Sequence, residues 1–281
     1  MYTRIETELN ALPENNWFTK EYCSRFSGTL IVDGKYVKVK GYKQKIPFIY
    51  GIDYESHDIV VSLLAPSENE EAFLKFFRLV RSVGYPLRTV VTDDRSSLVF
   101  AMQNYFPYAQ RQLCQNHYLE NLRVLLHIRT ESTHQSFFHD LERRVFKTNV
   151  PVKVRNLRLH ELMVKHAKTN VMYQSLLMDI YHRRQELFLY THIPNCPKDT
   201  NLIELFNSHL QSRLKSVKGF QTFESAARFL NAYVLRRRTL PFTDCEGKFK
   251  YLNGKISLQM TIKKQASLPE ILKKYQLKSE R

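Results

Sequence analysis

The chain is poor in cysteine: Cys23, Cys114, Cys196 and Cys245 are scattered over 281 residues and none forms a CxxC pair. That pattern gives neither a disulfide framework nor a four-ligand zinc site. Long apolar runs are missing as well, and nothing approaches the ~18 residues of a membrane span. The start, Met1-Tyr2-Thr3-Arg4-Ile5-Glu6, has no apolar stretch of the signal-peptide kind. No internal repeat is present. These absences leave a globular protein expected in a cytosol-like compartment and long enough for one large domain or two modest ones.

Acidic residues are scarce beside basic ones, 27 against 43, for a net charge of +16. A field of that strength favours polyanionic partners. Residues 1–113 are nearly neutral, with 14 basic and 13 acidic side chains, whereas residues 205–281 carry 16 basic and 5 acidic. A basic surface in the C-terminal half is what gripping phosphates requires. For any single Lys or Arg, solvation of a helix face remains the competing explanation.

Residues 29–39 are rich in β-branched and aromatic side chains and read as a strand, followed by strands near 47–54 and 58–64. The short links predict an antiparallel meander. Helical spacing follows at 69–83 (Phe73, Phe76, Phe77, Val80, Val83). A fourth strand, 88–92, stops at Asp93-Asp94. Another helix and a short fifth strand, 109–114, come next. Residues 116–190 are helical throughout. Two more helices are predicted at about 202–217 and 222–237, and the tail from 242 is basic, weakly periodic and expected to be partly disordered. The order β-β-β-α-β-α-β, then helices, predicts an α/β fold with a mixed sheet flanked by helices and an all-α insertion.

Three carboxylates occupy suggestive positions. Asp33 interrupts the apolar run of the first strand, although Asp33-Gly34 also suits a hairpin turn. Asp93 ends the fourth strand, although it could cap the next helix. Glu204 opens a helix, where it could close a capping box with Asn201. Metal-assisted phosphoryl transfer uses two hard cations roughly 3.5–4 Å apart, held by converging oxygen ligands. A strand Asp, a strand-end Asp and a helix Glu supply such a set.

Four pieces in order, Leu30-Ile31-Val32-Asp33-Gly34, Val90-Val91-Thr92-Asp93-Asp94, Cys114-Gln115-Asn116-His117 and Thr200-Asn201-Leu202-Ile203-Glu204, resemble DDE transposases of the Mutator-like type and their bacterial insertion-sequence relatives. The resemblance covers roughly residues 28–240. It implies an RNase H-like (retroviral integrase) fold, with Asp33, Asp93 and Glu204 as the metal-binding catalytic triad for two Mg²⁺ or Mn²⁺ ions. It places Cys114 and His117 on the C(2)H motif and Asn201, as a substrate-positioning residue, on the TN-x-x-E motif. Since no two further zinc ligands are evident beside Cys114 and His117, a structural or substrate-positioning role is favoured for that pair over zinc. Asp94 stands where the family more usually has Gly.

The implied organisation is an N-terminal helix and linker (1–27), a first core part (28–117), the helical insertion (118–193), a second core part (194–240) and a basic tail (241–281). Arg213, Lys215, Arg236, Arg237 and Arg238 are candidate phosphate contacts. Trp17 and Tyr118 are expected to pack rather than stack on a base. The implied partners are transposon-end and target DNA, with the chain acting as a homodimer or larger assembly. About 27 residues precede the first strand, where the family normally carries an end-recognising DNA-binding domain, so the expectation is either a truncated chain or a separate N-terminal DNA-binding protein. The implied location is the cytoplasm and nucleoid, or the nucleus in a eukaryote. A nuclease that cuts without joining, or a silent DNA-binding remnant, would share the same composition.

Overall fold

In the computed structural model, which describes residues 9–166 and 170–277, strands β1 (Thr29–Val37), β2 (Ile46–Asp53) and β3 (Ile59–Leu64) form the expected antiparallel meander. The crossover helix α2 (Glu70–Ser82) leads to β4 (Thr89–Thr92), and α3 (Ser96–Tyr105) leads to β5 (Gln110–Leu113). The mixed sheet runs in the order β3-β2-β1-β4-β5, which places β1 at its centre. Helix α2 starts where Asn69 accepts a hydrogen bond from the Ala72 N–H, satisfying one of the orphan donors of the first turn. Its stripe of Phe73, Phe76, Phe77 and Val80 is fully buried, each side chain contributing about 1.5–3 kcal/mol.

The chain divides into two units. One lies within Met1–Val90, Arg95–Ala109 and Asn201–Arg281; the other comprises Val91–Asp94 and Gln110–Thr200. In the first, Leu30 and Val32 of β1 pack with α2 and α3 in one core. Side chains alternate across a strand, so Ile31 and Asp33 turn to the opposite face. Helix α8 (Asn201–Val217) packs on β1. Its buried stripe is Ile203, Phe206 and Leu210. Leu202, Leu214 and Val217 of the same helix are only half-buried.

The second unit is helical beyond β5: α4 (Gln115–Leu125), α5 (Gln135–Leu141) continued by a π-helical turn (Glu142–Phe146), α6 (Val152–His166) and α7 (Val171–Leu187). Its core runs from Leu113 through Phe137, Phe138, Leu162 and Leu177 to Phe188.

Two expectations are corrected. Residues 242–277 are not a loose tail. They form α10 (Ser257–Thr261), α11 (Leu268–Lys274) and a 3₁₀ turn (Gly247–Leu252). Ile256, Leu258, Ile262 and Ile271 share a core with Phe18 and Cys23 beside α1 (Asn15–Tyr22), and with Leu235 of α9 (Phe223–Thr239). Elements of five to seven residues are too short to show a helical stripe in sequence. The outer ends of this region and of the N-terminal segment, 278–281 and 1–8, lie outside the described residues.

The second correction is Arg238, which lies inside this core rather than on a phosphate-facing surface. Its guanidinium donates to both Asp58 oxygens (2.9 and 2.7 Å), to Asn15 and Thr19 (2.8 Å each) and to the Cys23 sulfur (3.2 Å). Ser257 and Thr261 complete the Asp58 carboxylate at 2.8 and 2.6 Å. Burial works against the charged guanidinium, but Asp58 and Cys23 together outweigh it and the Arg238 pKa rises. Among the described residues no helix is long and apolar enough to cross a membrane.

Candidate active site

In the first unit, Asp33 sits within β1 with no turn. It is registered against Tyr50 of β2, and Gly34 against Ile49. The hairpin alternative for Asp33-Gly34 is thereby removed. The Asp33 Oδ2 atom accepts a hydrogen bond from Asn207 Nδ2 at 2.8 Å, and Asn207 Oδ1 accepts one from Tyr50 Oη at 2.8 Å. With both ends of the amide assigned, its orientation is fixed, and with it the rotamer of Asp33. Burial first, then the negative Asp33 nearby, raise the Tyr50 pKa well above the usual phenol value, so the phenol stays a donor.

Glu204 is exposed and lies three residues before Asn207, on the same helical face. Asn201, also exposed, is the first residue of α8. Glu68 lies over Gly34, on the face of β1 opposite Asp33: a Cβ on that glycine would come 3.8 Å from Glu68 Oε1. Tyr36 and Arg95 both donate to Glu68.

Arg213, Lys215 and Arg236 are exposed, as candidate phosphate contacts must be. Arg237 is half-buried, with its guanidinium over Phe206 (4.8 Å) and Phe242 (5.2 Å). Trp17 is half-exposed against the edges of Tyr22 and Tyr275.

In the second unit, Asp93 follows β4 directly. Helix α3 is capped at Arg95, so Asp93 is not its N-cap. The next residue, Asp94, forms a two-pronged ion pair with Arg183 of α7 at 2.6 and 2.5 Å, and Arg111 approaches it at 3.6 Å. The Arg183 hydrogen bonds hold Asp94 below the usual carboxylate range. β5 follows β4 closely: the Cys114 N–H donates to the Thr92 carbonyl at 2.8 Å.

Cys114 is fully buried, and its sulfur lies 3.2 Å from Thr200 Oγ1, which in turn lies 3.4 Å from His117 Nδ1. The CxxH pair and the threonine that precedes Asn201 thus meet, although 86 and 83 residues separate them. Tyr118 is buried and donates to Asp179 at 2.6 Å, which is a packing role.

Asn207, Tyr50 and Arg183 were not singled out from the sequence, and Thr200 appeared there only as the first residue of the TN-x-x-E piece. Only Asn207 carries a local signal, its three-residue spacing from Glu204. The others depend on chain segments far away in sequence.

A family model described as "Transposase, Mutator family" matches residues 11–239. Two relatives carry the name "Transposase for insertion sequence element IS256 in transposon Tn4001", one from Staphylococcus aureus and one from Enterococcus faecalis (strain ATCC 700802 / V583). Each is 23% identical over 233 residues, covering 79% of this chain and 57% of the relative. The chain therefore spans a little over half the length of these curated relatives. The family match takes in every motif residue placed above, from Asp33 to Glu204, and on that extent the chain belongs to the Mutator family of transposases.

Proposed function

We propose that this chain is the catalytic region of a DNA transposase, in which Asp33, Asp93 and Glu204 hold two divalent cations, Mg²⁺ or Mn²⁺. The observation that carries the reading is Asp33. It is a carboxylate in the middle of the central strand, fixed by Asn207 on the same helical face as Glu204. Asp93 at the end of the adjacent strand supports it. The proposed donors are carboxylate oxygens, which suit hard divalent cations. Bound there, such cations would stabilise charge on a phosphodiester in flight and favour the ionised form of an attacking water.

The reading assigns the chain's own residues as follows. Asn207 and Tyr50 hold Asp33 in one rotamer. Arg183 steadies the backbone at Asp93 through Asp94. Thr200, Cys114 and His117 shape the start of α8, and with Asn201 position the DNA strand. Arg213, Lys215, Arg236 and Arg237 contact backbone phosphates.

In the first step, water oxygen bonds to phosphorus at the element's end and the P–O3′ bond breaks, leaving a 3′-hydroxyl. In the second, that hydroxyl attacks target DNA, forming one P–O bond as another breaks, so no outside energy source is needed. The chain works on DNA as a homodimer or larger assembly.

The test is cleavage and joining of DNA carrying the element's ends, with Mg²⁺. Asp93→Asn and Glu204→Gln should each abolish both products while DNA binding persists. Wild-type activity in either variant would remove the triad assignment. Cleavage by the wild type without joined product would reduce the reading to a nuclease.

A further inference from the structure

On the flank of α8 opposite Asn207 and Glu204 lies a cleft of about 650 Å³, within the range of roughly 300–1,000 Å³ typical of ligand pockets. Two helices build it with matching spacing. Helix α8 supplies His209, Ser212 and Arg213; α9 supplies Tyr233, Arg236 and Arg237. In both, positions i, i+3 and i+4 share one face, so two short sequence patterns, His-x-x-Ser-Arg and Tyr-x-x-Arg-Arg, are brought face to face. Among the described residues lining the cleft, Asp244 is the one acidic side chain, against three arginines.

The Tyr233 hydroxyl is buried and has no hydrogen-bond partner among the described residues. Buried polar groups are seldom left that way. Stacking on Phe206 and Phe242 presets the plane of the Arg237 guanidinium, which reduces the ordering cost of binding. Two further signs agree. Burial, then Arg237 and Arg213, hold His209 below the ordinary imidazole range against the opposing pull of Asp244. Burial raises Tyr233 to about 12, so it remains a donor. The Ser212 hydroxyl already donates to the His209 carbonyl at 2.7 Å, so the arginine forks and the Tyr233 phenol O–H are the donor set that the cleft offers a phosphate group.

We propose that this cleft is a phosphate subsite that grips the sugar–phosphate backbone of the DNA strand flanking the reaction centre. The proposal rests on the reading that the chain acts on DNA. Arg213 lies nine residues beyond Glu204, about 14 Å along the helix and on another flank, so the phosphate held there is not the scissile one. The cleft serves binding rather than bond breaking.

The experiment uses the full chain and duplex DNA without divalent metal, with the dissociation constant measured by fluorescence anisotropy over a salt series. Arg213 and Arg236 are exposed, so a double Arg213→Ala, Arg236→Ala variant should fold. It should bind roughly ten- to a hundredfold more weakly, with a log–log salt slope shallower by about 2, since each phosphate contact contributes about 0.9. Tyr233→Phe should weaken binding several-fold without changing the slope. Lys273→Ala with Lys274→Ala on α11 removes the same charge and should change neither.

Equal losses in the two double variants would overturn the proposal, because net charge alone would then explain binding. An unchanged slope in the arginine variant would overturn it too. Titration with inorganic phosphate separates the sources: phosphate binding lost on Arg213→Ala, with DNA affinity intact, would make this a free-anion site and also overturn it. Asp93→Asn should leave the salt series unaltered, so a failure of the triad reading shows in cleavage and a failure of the cleft shows in binding.

Discussion

Arg238 offers the sharpest contrast between a surface and a core role. All five guanidinium N–H groups have acceptors, two of them on Asp58, and the two side chains are 1% and 0% exposed. Removing one partner of a buried pair leaves an uncompensated charge or unfilled acceptors and costs about 3–5 kcal/mol. Against a typical domain stability of about 5–15 kcal/mol, Arg238→Ala or Asp58→Asn should lower the urea midpoint by about 1–2 M. The assay is built in: the chain has one tryptophan, Trp17, and it sits on α1, the helix that supplies Asn15 and Thr19 to the network. Its fluorescence therefore reports this core. A joint Arg238→Met, Asp58→Leu variant should regain most of the loss, because an apolar pair of similar volume needs no desolvated charge. If Arg238→Ala unfolds at the wild-type urea concentration and instead weakens DNA binding, the core assignment is wrong and the arginine faces phosphate.

Three further outcomes follow from contacts already described. Asn207→Ala should cut DNA cleavage about 10–100-fold, the usual effect of losing a residue that orients a metal ligand, with no change in DNA affinity; full activity would show that Asp33 does not depend on it. Arg183→Gln should lower cleavage several-fold while leaving the melting temperature within a few degrees, since the pair with Asp94 is part-exposed; unchanged turnover would detach Asp94 from the positioning of Asp93. His57 is lowered from 6.5 to about 4 by burial, then by Arg237 and Lys248. Between those values the unfolded chain binds a proton that the folded chain does not, so stability should fall as pH drops from about 6.5 towards 4, by up to about 3 kcal/mol. His57→Asn, an exchange that the left-handed backbone at φ 55° tolerates, should flatten that part of the pH–stability curve, and an equally steep curve would exonerate His57.

The meander, the two crossovers and the helical stretch were legible because their apolar periodicities extend over many residues. Asp33 was legible as an oddity, a charge inside an apolar run. Its choice between turn and strand was not, because pairing with Tyr50 decides it and local turn preference does not. Arg236, Arg237 and Arg238 look alike as a basic run. Successive helical residues rotate by 100°, so the three end up exposed, half-buried and buried. The signal was present: Arg238 continues the Ala226, Leu230, Val234 stripe at four-residue steps, and all four are buried. Asn207 could be found by its spacing from Glu204, but its role needs a strand 174 residues away. The short C-terminal helices had no periodicity to read, and their packing against α1 is wholly non-local.

The Asp58 network also has a consequence in time. Its partners Arg238, Ser257 and Thr261 lie 180, 199 and 203 residues downstream. At about 5–20 residues per second, the ribosome takes roughly 10–40 s to supply the last of them. Until then the start of β3 carries a carboxylate whose folded environment does not yet exist, and α1 lacks the wall it packs on. A fragment cut after residue 240 would keep every motif residue discussed above yet remain permanently at that half-made stage, with a charge waiting for Ser257 and Thr261.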